Sequence, residues 1–116
     1  MMFKTKEEHD LHIYLMVRNL INDQSTFNIN FREKYASLRE AHSMLREELQ
    51  EVEEALDDTL GSEDLVWKMI RKDEEGKDIL EQLSYLEACA TDLIIEALHV
   101  AAVANKAITQ FKLQRE

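Results

Sequence analysis

Apolar residues recur at steps of three and four along most of the chain, which is the spacing of an amphipathic α-helix. The clearest stripe consists of Tyr35, Leu38, His42, Leu45, Leu49, Val52 and Leu56. It predicts a helix from about Phe31 to Leu60. Gly61 then suits the left-handed position that ends many helices, and Ser62 suits the cap of the next one.

A first helix is predicted to begin at Thr5, because Thr5 and Glu8 have the spacing of a capping box. Its apolar stripe fades by Asp23. Residues Gln24–Asn30 include Ser, Thr and two Asn, which favour turns over helix. The pattern therefore predicts a loop there.

Two further helices are predicted after Gly61. A short one covers Leu65–Ile70, and its polar tail, Arg71–Lys77, which contains Gly76, is the candidate for a bend. The last helix runs from about Asp78 to beyond Phe111, roughly 50 Å at 1.5 Å per residue. One compact chain of 116 residues is too small to cover such a helix. A homodimer or homotetramer is therefore expected.

Composition supports the same fold class. The chain has no proline and two glycines, too few for the many tight turns of a sheet protein. Good helix formers dominate. We therefore expect a single all-α domain over residues 1–116, a four-helix bundle-like fold with a long C-terminal helix.

The net charge of −10 argues against nucleic acid or an anionic membrane as a partner. Cys89, the single cysteine, has no partner for an internal disulfide and is most simply a small buried apolar residue. Met1–Asp10 lacks the apolar run of a signal peptide, and no stretch is long enough to span a membrane. These features predict a cytoplasmic protein.

The candidate chemistry lies in the last helix, where Leu93–Ala104 is apolar on nearly all sides and only Glu96 and His99 interrupt it. A buried carboxylate needs a compensating charge. On the second helix, Glu48 lies on one border of the apolar stripe, and Glu51, three residues later, lies about 60° further out. Both are candidates to converge with Glu96 and His99. Oxygen-rich ligand sets select hard cations, so Mg²⁺ or Mn²⁺ is expected.

Two strings carry a family resemblance. Glu47-Glu48-Leu49-Gln50-Glu51, together with Glu96-Ala97-Leu98-His99-Val100-Ala101-Ala102-Val103-Ala104, resembles the paired acidic motifs of MazG-like all-α nucleoside-triphosphate pyrophosphohydrolases. The resemblance implies that Glu48, Glu51 and Glu96 bind the metal, with His99 where the family has Asp. It also implies hydrolysis of a nucleoside triphosphate to a monophosphate and pyrophosphate. Glu51 and Glu96 are 45 residues apart, more than is usual in the family.

If the resemblance holds, Glu47 and Glu54 are the candidates to orient the attacking water as general base. Lys106 lies two turns beyond His99 on nearly the same helix face and is a candidate for a phosphate contact. Asn105 beside it is a candidate for the sugar or base.

Three other interpretations stay open. The acidic residues of the second helix are alternatively a solvated surface, and Glu96 with His99 a buried structural pair. Glu96-x-x-His99 is also the pattern of ferritin-like carboxylate metal sites, which would need a second copy of the chain. A non-enzymatic assembly or regulatory protein is the third. The chain has no glycine-rich phosphate loop, serine elbow or zinc cluster.

Overall fold

A computed structural model describes the backbone of residues 4–31 and 34–114, and the side chains of residues 4–25 and 34–112. These residues form three helices and no strand: α1 is Lys6–Phe31, α2 is Leu38–Arg71 and α3 is Gly76–Gln114. The all-α fold class is confirmed. Within the described residues there are three helices where the sequence predicted four.

Helix α1 begins as predicted. The Glu8 N–H donates to Thr5 Oγ1 at 3.1 Å, and the Lys4 N–H donates to the Glu8 carboxylate at 2.9 Å, so backbone donors of the first turn find acceptors. The predicted loop over Gln24–Asn30 is wrong, because α1 continues through it to Phe31. Ser25 is buried there, and packing at this position offsets the weak helix preference of the polar residues.

Helix α2 begins later than predicted, at Leu38 rather than at Phe31, which belongs to α1. The Glu40 N–H donates to Ser37 Oγ at 3.2 Å, so Ser37 caps α2. Tyr35 therefore lies before the helix instead of on its stripe. The backbone of residues 32 and 33 is outside the described part of the chain.

The predicted helix end at Gly61 is also wrong. Gly61 does not have a positive φ, and α2 continues through it, so the predicted helix over Leu65–Ile70 is the last part of α2. The left-handed residue is Asp73, with φ of 50°. The Asp73 N–H bonds to the Ile70 carbonyl and the Glu74 N–H to the Met69 carbonyl, which is the hydrogen-bond pattern of a Schellman cap. The bend predicted within Arg71–Lys77 is thus confirmed.

Helix α3 has 39 residues and a length of about 58 Å at 1.5 Å per residue. The long C-terminal helix is confirmed, and it begins at Gly76. No helix in the described ranges is both long enough and apolar enough to cross a membrane.

The chain divides into two compact units, and each boundary falls inside a continuous helix. Unit 1 comprises the chain up to Leu45 and from Leu98 onward, and unit 2 is Arg46–Ala97. The core of unit 1 contains Tyr35, Ala41 and Val103, with Met44, Leu45, Ala107 and Phe111 packed against it. The Gln110 side chain accepts from the Tyr35 N–H at 3.0 Å and donates to the Tyr35 carbonyl at 2.6 Å.

Unit 2 is a hairpin formed by the two antiparallel halves of α2 and α3 around Asp73. Its buried residues are Ser62, Val66 and Cys89. The Gln82 side-chain amide donates to Ser62 Oγ at 2.9 Å across the hairpin. This bond joins two positions at nearly equal distances from the turn, and it therefore fixes which residues of α2 and α3 lie opposite one another.

Candidate metal centre

The hairpin register brings Glu48 and Glu96 together. Glu48 precedes Ser62 by 14 residues and Glu96 follows Gln82 by 14 residues, so the carboxylate pair and the hydrogen-bonded pair have the same register. Fourteen residues span about 21 Å of helix. The two carboxylates therefore lie opposite each other near the open end of unit 2, about four turns from the Ser62–Gln82 bond.

His99 joins these two carboxylates because it follows Glu96 by one turn of α3. One ligand atom from each of Glu48, Glu96 and His99 lies within 4.8 Å of the other two. All three side chains are half-buried. The arrangement supplies two hard oxygen ligands and one imidazole nitrogen, a combination that suits divalent cations.

The two carboxylates face inward rather than to bulk water. Glu48 and Val66 are 18 residues apart, about five turns, so Glu48 shares the helix face that buries Val66 against α3. Glu96 likewise shares a face with Cys89, seven residues earlier. Oε2 of Glu48 and Oε2 of Glu96 are both inaccessible to solvent.

An acidic cleft of about 590 Å³ lies beside this group, within unit 2. It is lined by Glu51, Glu54, Ala55, Asp58, Tyr85, Ala88, Cys89, Asp92 and Glu96. Five of these nine residues are carboxylates, three from α2 and two from α3. Glu96 belongs both to the cleft and to the group with Glu48 and His99, so the cleft adjoins the candidate ligands directly.

The electrostatics of the cleft act on Tyr85. The pKa of Tyr85 is raised above the ordinary value of 10.0, chiefly by a side-chain hydrogen bond to Cys89 and by negative charge on Cys89. The charge of Asp58, burial, and the charge of Asp92 add to the rise. Negative charge close to the hydroxyl disfavours the phenolate, so the tyrosine stays neutral over a wider pH range.

The predicted site residues are divided between several places. Glu48, Glu96 and His99 form the close group, whereas Glu51 and Glu54 line the cleft. Glu47, the other candidate base, lies in a separate groove of α2 with Arg46 and three further residues, away from the cleft. The roles predicted for Glu47, Glu51 and Glu54 stay predictions.

Asn105 and Lys106 belong to unit 1. Asn105 is nine residues after Glu96, which places it about 180° away around α3. Lys106 is buried, with 3% of its surface exposed, and its ammonium group lies 4.2 Å from the centroid of the Tyr35 ring. This is a cation–π contact in the core of unit 1. The phosphate and base contacts predicted for these residues stay predictions.

The sequence reasoning missed Asp58 and Asp92, and it did not place Tyr85 in the cleft. A signal for them was present in the spacing. Glu54 and Asp58 are four residues apart on α2, and so are Asp92 and Glu96 on α3. Residues at this spacing share a helix face, so each pair extends one acidic strip. Finding that the strips face each other required the position of the turn.

Comparison with protein-family models, with curated proteins and with solved structures finds no match for this chain. The resemblance to the MazG-like family therefore remains a hypothesis.

Proposed function

We propose that Glu48, Glu96 and His99 bind a divalent cation, and that with this cation the protein hydrolyses a nucleoside triphosphate to a monophosphate and pyrophosphate. The observation that carries the proposal is the convergence of three ligand atoms from α2 and α3 within 4.8 Å. Cis ligands of one Mg²⁺ ion lie about 3.0 Å apart and trans ligands about 4.2 Å apart. Atoms that lie within 4.8 Å of one another can therefore close around an ion by side-chain rotation.

The Glu48 and Glu96 carboxylates attract a cation, and their half-buried position strengthens both attractions. The oxygen ligands favour Mg²⁺, and the imidazole of His99 shifts the preference toward Mn²⁺. We therefore expect Mn²⁺ to bind more tightly than Mg²⁺.

The acidic cleft suits a nucleotide only when cations accompany it. Five carboxylates repel a triphosphate, but bound divalent cations reverse the local charge and hold the phosphate oxygens. The cleft volume of about 590 Å³ lies within the ordinary range of small-molecule sites. Tyr85, with 57% of its surface exposed, offers a ring face on which a base can stack.

The reaction breaks the bond between the α phosphorus and the oxygen that bridges the α and β phosphates. A water oxygen forms the new bond to that phosphorus, and pyrophosphate is the leaving group. Glu54 is the proposed base that takes the proton of this water, because it lines the cleft that Glu96 adjoins. Glu51, on the same cleft, is the proposed further metal ligand.

Metal binding is tested first, by isothermal titration of the protein with Mn²⁺ and with Mg²⁺. Glu96→Gln keeps the shape of the side chain but removes its charge, and we expect it to weaken Mn²⁺ binding at least tenfold. Glu87→Gln is the matched control, because Glu87 is an exposed acid of α3 that does not line the cleft. If the unaltered protein binds neither ion, the whole proposal fails.

Hydrolysis is tested separately, by pyrophosphate release from a panel of ribo- and deoxyribonucleoside triphosphates with Mg²⁺ or Mn²⁺. Loss of a general base lowers the rate by about 10²-fold or more, so Glu54→Gln is expected to abolish activity while Mn²⁺ binding persists. If the protein binds Mn²⁺ but releases no pyrophosphate from any nucleotide, the proposed metal site stands and the proposed hydrolase activity is wrong.

The same three residues support a second candidate function. Di-iron carboxylate bundles use one Glu from each of two helices and a Glu-x-x-His pair from each of two others. Glu48 with Glu96-x-x-His99 corresponds to half of that set, and a two-fold related copy would have to supply the other half. Anaerobic loading with Fe²⁺ followed by oxygen distinguishes the two functions: this one requires an absorbance change and oxygen consumption, whereas the hydrolase requires neither.

A further inference from the structure

The two sides of the unit 2 hairpin differ in character. The acidic cleft is on one side. On the other side, α2 and α3 present large apolar residues that the chain itself leaves about half exposed. We call these residues the outer stripe. They are Leu49, Leu56, Leu60, Trp67, Leu83 and Ile94.

Helix geometry explains why the outer stripe is not covered within unit 2. Leu49, Leu56 and Leu60 are seven and four residues apart and share one face of α2, about 100° from the face that carries Glu48 and Val66. A hairpin of two helices has one shared interior, so faces turned this far from it stay in water. Their exposed fractions are 46%, 42% and 55%.

The size of the outer stripe is that of an interface. Its half-exposed side chains present roughly 500 Å² of apolar surface. A standard protein interface buries about 800 Å² per partner, and polar residues around the stripe would supply the difference. With a net charge of −10, the chain gains nothing from laying this surface on an anionic bilayer. A protein surface is the better occupant.

The charged residues beside the outer stripe indicate which protein binds it. Arg46 and Glu53 are opposite in charge and seven residues apart, so they lie about 20° from each other around α2. Along the helix axis they are one turn before and one turn after Leu49, and both lie about 50° to the same side of it. Neither forms an ion pair with the described residues of the chain. When two copies of α2 cross antiparallel near Leu49, Arg46 of each copy faces Glu53 of the other.

We infer that the outer stripe of α2 and α3 is the interface with a second copy of this chain, related by a two-fold axis near Leu49. A two-fold interface must be complementary to itself, and the Arg46–Leu49–Glu53 arrangement has that property. It creates two reciprocal ion pairs beside an apolar centre, as flanking charges do in coiled coils. The acidic cleft, on the other side of the hairpin, stays open to solvent in this dimer. The inference does not depend on the proposed metal site.

The test is the molar mass of the full chain in solution, by light scattering and sedimentation equilibrium. We expect twice the 13.6 kDa chain mass. Leu49→Glu with Leu56→Glu places charges at the centre of the interface and is expected to weaken association about 100-fold or more. Both positions are exposed, so helicity by circular dichroism should persist. Leu65→Glu is the matched control: Leu65 is 45% exposed but lies about 160° from Leu49 around α2.

A charge exchange tests the two-fold relation itself. Arg46→Glu and Glu53→Arg each set like charges against each other twice, and each is expected to weaken the dimer about tenfold. Combining the two restores reciprocal pairs and should recover the dimer, a result that a contact with an unrelated protein would not give. A monomer at all concentrations, including one that binds anionic vesicles instead, would overturn the inference. The inference would also be wrong if Leu49→Glu with Leu56→Glu left the dimer unchanged. It would be wrong, too, if combining Arg46→Glu with Glu53→Arg failed to restore association.

Discussion

Unit 1 and unit 2 use the same two long helices for different purposes. In unit 1 the buried positions are apolar or fixed by specific contacts, such as Tyr35 held by the Gln110 amide and covered by Lys106. In unit 2 the buried set is small, and five carboxylates of α2 and α3 line the open cleft beside it. Like charges brought together cost stability, and an enzyme or binding protein accepts that cost at its functional site.

This contrast teaches where stability and function are expected to separate. Substitutions in the Tyr35, Ala41 and Val103 cluster of unit 1 should lower the free energy of unfolding and leave the intrinsic affinity of the metal site unchanged. Substitution of Glu51 or Glu96, the proposed metal ligands that line the cleft of unit 2, should reduce metal binding and leave stability the same or higher, because each substitution removes one of the five clustered negative charges.

The largest expected effect on stability is at Tyr35. Tyr35 is buried, with 8% of its surface exposed. Tyr35→Ala leaves a cavity beside Ala41 and Val103 and removes the cation–π contact with the Lys106 ammonium. We expect the free energy of unfolding to fall by about 3 kcal/mol, measured by urea denaturation followed by circular dichroism. Mn²⁺ affinity of the folded protein should not change.

Tyr14→Ala is the matched control for this experiment. Tyr14 is a tyrosine of α1 with 60% of its surface exposed, so its removal should change stability by less than about 0.5 kcal/mol. Equal losses at the two tyrosines would show that the Tyr35 cluster is not the stabilising core of unit 1, and the contrast between the units would fail.

A smaller change in the free energy of unfolding, in the stabilising direction, is expected in unit 2. Gly61 is exposed inside α2, and a Cβ atom added there would meet nothing within 4 Å. Gly61→Ala should therefore raise the free energy of unfolding by about 1 kcal/mol, through the lower conformational entropy of the unfolded chain and the better helix propensity of alanine. The same denaturation experiment measures it. A loss of stability would mean that α2 bends or ends at Gly61.

Gly61 also shows why part of the fold was not predictable from the sequence. A glycine followed by a serine is a good local signal for a helix end and a new cap, and the sequence contains it. The buried face of α2, however, continues past Gly61 through Ser62 and Val66. Packing of this face, together with the Gln82–Ser62 hydrogen bond, outweighs a propensity cost of about 1 kcal/mol at one residue. The actual cap uses Asp73, whose left-handed conformation no residue type made obvious.

The candidate site was predictable from the sequence only as far as helical spacing reaches. Helical spacing alone put Glu96 and His99 on one face, and the acid-rich border of α2 supplied Glu48. The sequence could not show that Glu48 pairs with Glu96 while Glu51 turns to the cleft. That distinction depends on the register of the hairpin, and the register depends on the turn at Asp73. An extra helix break at Gly61 would have shifted every pairing between α2 and α3.

The smallest expected effect is on the pKa of Tyr85, which reports on the negative charge around the cleft. Because its pKa is raised above 10.0, its phenolate should form at higher pH than that of an unperturbed tyrosine. An ultraviolet titration of the protein, minus that of Tyr85→Phe, isolates this group from Tyr14 and Tyr35. Cys89→Ala should lower the pKa most, since the Cys89 side chain is the main cause of the rise, and Asp58→Asn should lower it less.

The sign of the accompanying stability change follows from proton binding. Between the ordinary pKa and the raised one, the unfolded chain releases the Tyr85 proton before the folded chain does, so the contribution of this group to stability declines as the pH rises through that window. The link between the cleft and the metal centre is tested near neutral pH, where Mn²⁺ stays in solution. Glu51 lines the cleft, so Glu51→Gln should weaken Mn²⁺ binding severalfold in the isothermal titration. If Mn²⁺ affinity does not respond to Glu51→Gln, the ion lies away from the cleft, and the proposed link between the metal centre and the cleft is wrong.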